Sequence, residues 1–280
     1  MPIGMNLLLW TPAVTEAHFP LLESLKTCGY DGVEIPLFEL DLPTLRRVSS
    51  ELDRLELRRT GVTVATHVAN PISPDARLRR AAVEQLRRHL DACAEAGIEL
   101  LCGPFHSTLG ALSGRGRTAE EWSWCVETLR EAALHAAEVG VALSVEPLNR
   151  FEVYFLNTIA DAARLSLEIN VPGFGCLYDT FHANIEEFDI ASSLREALPQ
   201  VNHVHISENH RGTPGSGHVH WETTFRELRE GGYDGWLTIE AFGRAIPEVA
   251  AATCIWRDLF DSPEQLCRDG LAFIHRMLGR

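Results

Sequence analysis

Four ionisable residues close four successive β-rich runs in the second half of this sequence. VALSVEP reaches Glu146, GCLYDTFH carries Asp179, HVHIS carries His205 and WLTIEAF carries Glu240. Side chains alternate by two along a strand, so if Glu146 points to one face, Ser144 and Ala142 share it while Val141, Leu143 and Val145 face away. The same test sets Thr238 below Glu240, with Leu237 and Ile239 on the opposite face. His203 and His205 share a face, but His205 lies one layer nearer the strand end. Two glutamates, an aspartate and an imidazole brought to one point repel strongly unless a cation sits among them. Glu146, Asp179, His205 and Glu240 therefore read as the ligands of one divalent metal ion per chain. Oxygen-rich ligation with a single imidazole suits Mn, Co or Mg better than a structural zinc, and the donor types do not select among the three.

Such convergence requires a scaffold that presents strand ends on one rim. Eight strand candidates are spaced along the chain: Met5 to Trp10, Gly32 to Pro36, Val62 to His67, Glu99 to Gly103, Ala142 to Glu146, Gly175 to Asp179, His203 to Ile206 and Trp236 to Glu240. Amphipathic segments such as 74–97 and 118–140 lie between them, with apolar residues at three- and four-residue spacing and a glycine at each C-terminal end. Eight βα alternations predict parallel strands with right-handed crossovers closed into a single (β/α)8 TIM barrel spanning 1–280, one catalytic domain. In that architecture the active site lies at the C-terminal ends of the strands, where these four residues fall. GYDG occurs twice, at 29–32 and 232–235, each time between a helix and a strand, and reads as an αβ turn without catalytic meaning.

Composition narrows the function classes. The 280 residues carry a net charge of −14, which disfavours nucleic acid, since binding a polyanion relies on Lys and Arg displacing counterions. A small polar substrate fits better. The N-terminal apolar run Met5 to Trp10 lacks a basic flank and a cleavage site, and no stretch approaches membrane-spanning length, so a soluble, cytoplasmic protein is expected. Seven cysteines without any CxxC argue against a disulfide framework or a thiolate zinc site.

Several segments resemble a known family. LSVEPLNRFE (143–152), YDTFHANIEE (178–187), HVHISENHRGTPGSG (203–217), GYDGWLTIEAF (232–242) and CIWRDLFDSPEQL (254–266) are similar to the ketose 3-epimerases, the D-tagatose and D-allulose 3-epimerase group of the xylose-isomerase-like barrels. The resemblance is dense from Val141 onward and thinner before it. It implies that Glu146, Asp179, His205 and Glu240 hold the metal and that Glu146 and Glu240 act as the catalytic acid and base. It also implies that Glu152, His182 and Arg211 contact the O1 to O3 end of a free ketose. The resemblance also implies a homodimer or homotetramer, and the net charge and lack of a spanning segment lead us to expect no nucleic-acid or membrane partner.

Two departures bear on which sugar is taken. His218 and His220 stand where many relatives have a basic residue and a proline, and the first strand's end has Leu8 or Leu9 in place of a tyrosine. The competing readings on the same barrel are an aldose–ketose isomerase of the hydroxypyruvate isomerase kind and an inosose-type dehydratase. Less favoured are an endonuclease with a trinuclear zinc cluster, for which His67 and His106 would have to serve as ligands, and a non-catalytic sugar-binding protein.

Overall fold

A computed structural model describes residues 1–280. Eight parallel strands, β1 (Ile3–Asn6), β2 (Gly32–Pro36), β3 (Arg58–Val62), β4 (Leu100–Gly103), β5 (Ala142–Val145), β6 (Phe174–Asp179), β7 (Val201–Ile206) and β8 (Trp236–Ile239), pair in sequence order and close β8 onto β1. The expected (β/α)8 barrel is the observed fold. Crossovers are made by α1 (Phe19–Cys28), α2 (Leu42–Arg54), α3 (Ala76–Ala96), α4 (Ala119–Val139), α5 (Ile159–Ile169), α6 (Thr180–Glu186), α7 (Ile190–Ala197) and α8 (Trp221–Glu230), and α9 (Pro247–Ala252) and α10 (Pro263–Leu278) follow β8. None of these helices is long and apolar enough to cross a membrane. All seven cysteines are unpaired.

Two strands differ from the sequence reading. The apolar run at Met5 to Trp10 leaves the sheet at Asn6, whose side chain accepts the Leu8 N–H at 2.9 Å and starts a 3-10 turn over Leu7–Leu9. In the third unit, Arg58–Val62 pairs with β2, while Thr63 to His67 continues beyond the barrel as rim loop. β-branched residues there mimic a strand, whereas the real strand opens with two arginines, Arg58 and Arg59. The GYDG turns are as expected: Gly29 and Gly232 take positive φ after α1 and α8, and Asp31 accepts the Ile3 N–H at 2.8 Å.

The barrel separates two cores. Outward-facing strand residues such as Met5, Ile35, Leu143, Val204 and Ile239 join the helices in one large apolar cluster. Inside the barrel a smaller cluster contains Val62, Leu100, Cys102, Leu177 and, near the rim, Leu8 and Phe242. The remaining lumen is polar, with Asn6, Glu34, Thr60, Ser144, His203, His205 and Thr238 at most 1% exposed. Register sets these in layers: Asn6 aligns with Glu34 and Glu34 with Thr60, while Asp179 aligns with His205 and His205 with Thr238.

Gly103 ends β4 at the rim with φ 125°, and a Cβ there would lie 2.1 Å from the Thr63 carbonyl oxygen. Its own carbonyl accepts the Glu146 N–H at 3.1 Å, so the glycine fixes where the fifth strand ends. Gly103→Ala is expected to cost roughly 1–3 kcal/mol in urea unfolding through strain and overpacking. Gly140→Ala, also at positive φ but in open space, is expected to cost less. Equal losses for the two variants would contradict the close-approach argument.

Candidate active site

Glu146 and Glu240 each sit one residue past their strands, yet both continue the ladder: the Glu146 N–H donates to Gly103 and the Glu240 N–H to Ile206, at 3.1 and 3.2 Å. Asp179 closes β6 and simultaneously caps α6, its Oδ1 accepting the N–H groups of Phe181 at 2.6 Å and His182 at 3.2 Å. Helix N-termini favour such an acceptor, and the cap locks the carboxylate with its second oxygen turned inward. His205 projects from β7 beside it.

The four side chains meet. One ligand atom from each of Glu146, Asp179, His205 and Glu240 lies within 4.8 Å of all the others, and all four residues are buried. The Nδ1 of His205 is 3.4 Å from Glu240 Oε1, 3.7 Å from Asp179 Oδ2 and 4.0 Å from Glu146 Oε1. It is also a buried nitrogen with no hydrogen-bond partner. Burial, and next the negative charge of Glu240, push the Glu146 carboxyl well above the usual carboxylate range. For Glu240 burial acts in the same direction, but His205 and Arg211 outweigh it and hold that carboxyl below its ordinary value. Crowded acids that drive the Glu146 carboxyl upward, around an imidazole nitrogen without a hydrogen-bond partner, fit a divalent cation in donor type and in charge.

Above the cluster, Arg211 spans its edge. One guanidinium nitrogen donates to Glu240 Oε2 at 2.6 Å, to Ser207 Oγ at 3.0 Å and to Asp179 Oδ2 at 3.2 Å, and the plane lies between Phe181 and Phe242. Arg211 holds φ 65°, a left-handed conformation that costs a non-glycine residue, and its N–H and C=O are pinned to Glu208 and Phe242. The structure thus makes Arg211 a buried residue of the cluster's rim. His182 meets Arg211 at 3.0 Å through Nε2, while its Nδ1 accepts the Asn149 N–H at 2.9 Å. Burial pushes the His182 imidazole down to about 3, which keeps it neutral. Asn149 also donates to Glu152 at 2.7 Å, and burial raises the Glu152 carboxyl. Glu146, Glu152, His182, Arg211 and Glu240 line one cavity of about 280 Å³, bordered by Leu8, Phe38, Val64 and Phe242.

The histidine-rich stretch 203–221 divides. His203 is fully buried one layer below His205 and pairs with Glu34. His210 closes a turn with Gly212 and Ser216, while His218 and His220 are exposed and do not line the cavity. Of the two leucines that replace the tyrosine, Leu8 lines the cavity and Leu9 does not. His67 is exposed, and His106, buried against Phe155, is not among the grouped ligand atoms, so neither extends the cluster toward a trinuclear zinc site.

Three residues that the sequence reading did not single out organise the site. Glu34 in β2 sits beneath His205 at 2.8 Å. Asn149 joins Glu152 to His182. Glu208 accepts the N–H groups of Asn209, Gly215 and Val219 and the Trp221 indole, tying down the loop that carries Arg211. An acid at the centre of the otherwise apolar strand GVEIP was the available signal for Glu34. Asn149 and Glu208 lie in loops where sequence alone offers no periodicity.

Burial lowers the His106 imidazole from 6.5 to about 3. The unfolded chain therefore takes up a proton that the folded chain refuses, and stability present above about pH 6.5 falls by about 1.4 kcal/mol per pH unit toward pH 3. His106→Gln is expected to lose about 2 kcal/mol less than the wild type between pH 7 and pH 5, read from urea midpoints. Parallel losses would contradict the assignment.

Comparison with known proteins agrees with the geometry. The model of the xylose isomerase-like TIM barrel family matches residues 22–277. A probable ketose 3-epimerase of Synechocystis sp. is 31% identical over 98% of this chain and 95% of its own length. The ketose 3-epimerase of Arthrobacter globiformis is 32% identical over 99% of this chain and 97% of its own. The solved D-allulose 3-epimerase from Methylomonas sp. in complex with D-allulose superposes with a TM-score of 0.92 at 28% identity, over 99% of this chain and 97% of that one. The chain belongs to the xylose isomerase-like TIM barrel family, within its ketose 3-epimerase group.

Proposed function

We propose that this protein inverts C3 of a free ketose with the help of one divalent cation, Mn, Co or Mg, held by Glu146, Asp179, His205 and Glu240. The observation that carries the reading is the pair of glutamates: Glu146 and Glu240 come from strands separated by β6 and β7, and both border the same cavity. Epimerisation removes a proton alpha to the C2 carbonyl and returns one to the opposite face, so a single base is not enough. The cation would polarise the carbonyl and stabilise the cis-enediolate left when the C3 proton departs. Glu146 and Glu240 then work as a pair, one accepting the C3 proton and the other delivering a proton to the far face, with the order set by the handedness of the substrate. Glu152, His182 and Arg211 hold the O1 to O3 end of the sugar.

The lining also bears on substrate charge. Glu146, Glu152, Glu240 and Glu248 border the cavity, and its only Lys or Arg is Arg211, already paired with Asp179 and Glu240. A phosphate needs free cations or a cluster of backbone N–H groups. A neutral sugar matches this wall, and a sugar phosphate does not.

Turnover of a free ketose panel in deuterated water with added Mn, Co or Mg is expected to place deuterium at C3 of a ketose product. Glu146→Gln and Glu240→Gln are each expected to lower kcat by about 10²–10⁴-fold. An aldose product, loss of water, or turnover that survives both substitutions would overturn the reading.

A further inference from the structure

We propose that Glu34 is a positioning residue for the metal site: it fixes the tautomer and ring plane of His205 from below, so that Nδ1 faces the cation. This rests on the reading of His205 as a ligand, and it concerns a residue that neither touches substrate nor ligates.

Glu34 lies mid-strand in β2, wholly enclosed in the barrel lumen. Its Oε1 faces His205 Nε2 at 2.8 Å and Asn6 Nδ2 at 2.9 Å. Its Oε2 faces His203 Nε2 at 2.8 Å, Thr60 Oγ1 at 2.9 Å and Cys102 Sγ at 3.2 Å. A carboxylate only accepts, so each imidazole must turn an N–H toward it. For His205 the consequence is definite. With Nε2 protonated toward Glu34, the neutral ring that a cation requires carries its lone pair on Nδ1, the atom that points, without a hydrogen-bond partner, at Glu146, Asp179 and Glu240. Ligating histidines commonly hold their second nitrogen to a carboxylate, and losing that partner weakens metal binding. Here the partner is itself clamped from three neighbouring directions by Asn6, Thr60 and His203. Asn6 also reaches Glu240 Oε1 at 3.4 Å, so the same anchor bears on a second ligand.

Glu34, Cys102, His203 and His205 together also have the makeup of a second metal site. Their hydrogen bonding argues otherwise. Glu34 already accepts from His203 and His205 at 2.8 Å and from Asn6 and Thr60 at 2.9 Å, so the facing ring nitrogens carry protons and offer no lone pair to an ion. The group is a hydrogen-bonded support beneath one cation rather than a second pocket.

Glu34→Gln keeps the shape but turns an NH2 group toward one of the N–H donors, so one imidazole loses its acceptor. Manganese titration of metal-free protein is expected to show one ion per wild-type chain and an affinity weakened about 10–100-fold in folded Glu34→Gln, with an altered visible spectrum of the cobalt form. A folded variant with wild-type manganese affinity and an unchanged cobalt spectrum would overturn the proposal, as would a second ion per chain lost with the substitution. A wild type that binds no manganese would overturn this proposal together with the ligand reading, whereas an unaffected Glu34→Gln overturns this one alone. Should the variant fail to fold, nitrogen-15 histidine NMR of the wild type with magnesium decides. A slowly exchanging downfield proton on His205 Nε2 is the expected result, and a proton on Nδ1 instead, or none on Nε2, is the contrary one.

Discussion

Three buried carboxylates and one imidazole share a volume in which their charges cannot coexist in water-free surroundings without compensation. In a low-dielectric interior the repulsion between such acids greatly exceeds what they exert in solvent. Most of the rim is arranged around that problem. Arg211 neutralises part of the charge of Asp179 and Glu240, and the carboxyl of Glu146 is driven upward in pKa. The Nδ1 of His205, without a hydrogen-bond partner, faces the place a cation would take. The barrel supplies what the crowding requires: strands anchored on both sides that hold the four side chains together at the expense of their mutual repulsion.

The scaffold enforces this geometry at several levels. Sheet register places Asp179 beside His205 before any side-chain contact is made. The helix that follows Asp179 uses it as a cap, so the same residue ends a strand, starts α6 and turns one oxygen inward. His182 follows in the first turn of that helix, which is why a four-residue segment, DTFH, contributes two members of the site. The Arg211 loop is folded around the buried Glu208 carboxylate, which holds the guanidinium over the cluster despite its strained backbone. Beneath these lies a polar lumen in which Glu34 collects the donors of four strands other than its own, β1, β3, β4 and β7.

The parts of this arrangement that could be read from sequence are those with a period. Alternation by two predicted that Glu146, His205 and Glu240 share the inner face with Ser144, His203 and Thr238, and βα spacing predicted the closed barrel. Strand limits were less legible where polarity and propensity disagree. Leu7 to Leu9 reads as strand but is turned out of the sheet by the Asn6 cap, and the third strand begins at charged Arg58 rather than at the β-branched Val62. Asn149 and Glu208, whose importance comes from distant partners, leave no local trace, and Glu34 leaves only that of an acid in an apolar strand. Arg211 was singled out by the family resemblance alone, and it is the fold that brings Phe181 and Phe242 around it. Of the five histidines at 203–221, strand alternation and position on the strand singled out His205, and it is the one that meets Glu146, Asp179 and Glu240.

The claim on which the account turns is that the crowded acids form a site for one cation. Isothermal titration of metal-free protein with manganese, run beside Asp179→Asn, tests it most directly. The account predicts one tightly bound ion per chain in the wild type, with binding lost or greatly weakened in a variant that keeps its fold. A wild type that takes up no ion, or an Asp179→Asn protein that binds manganese as the wild type does, would contradict it.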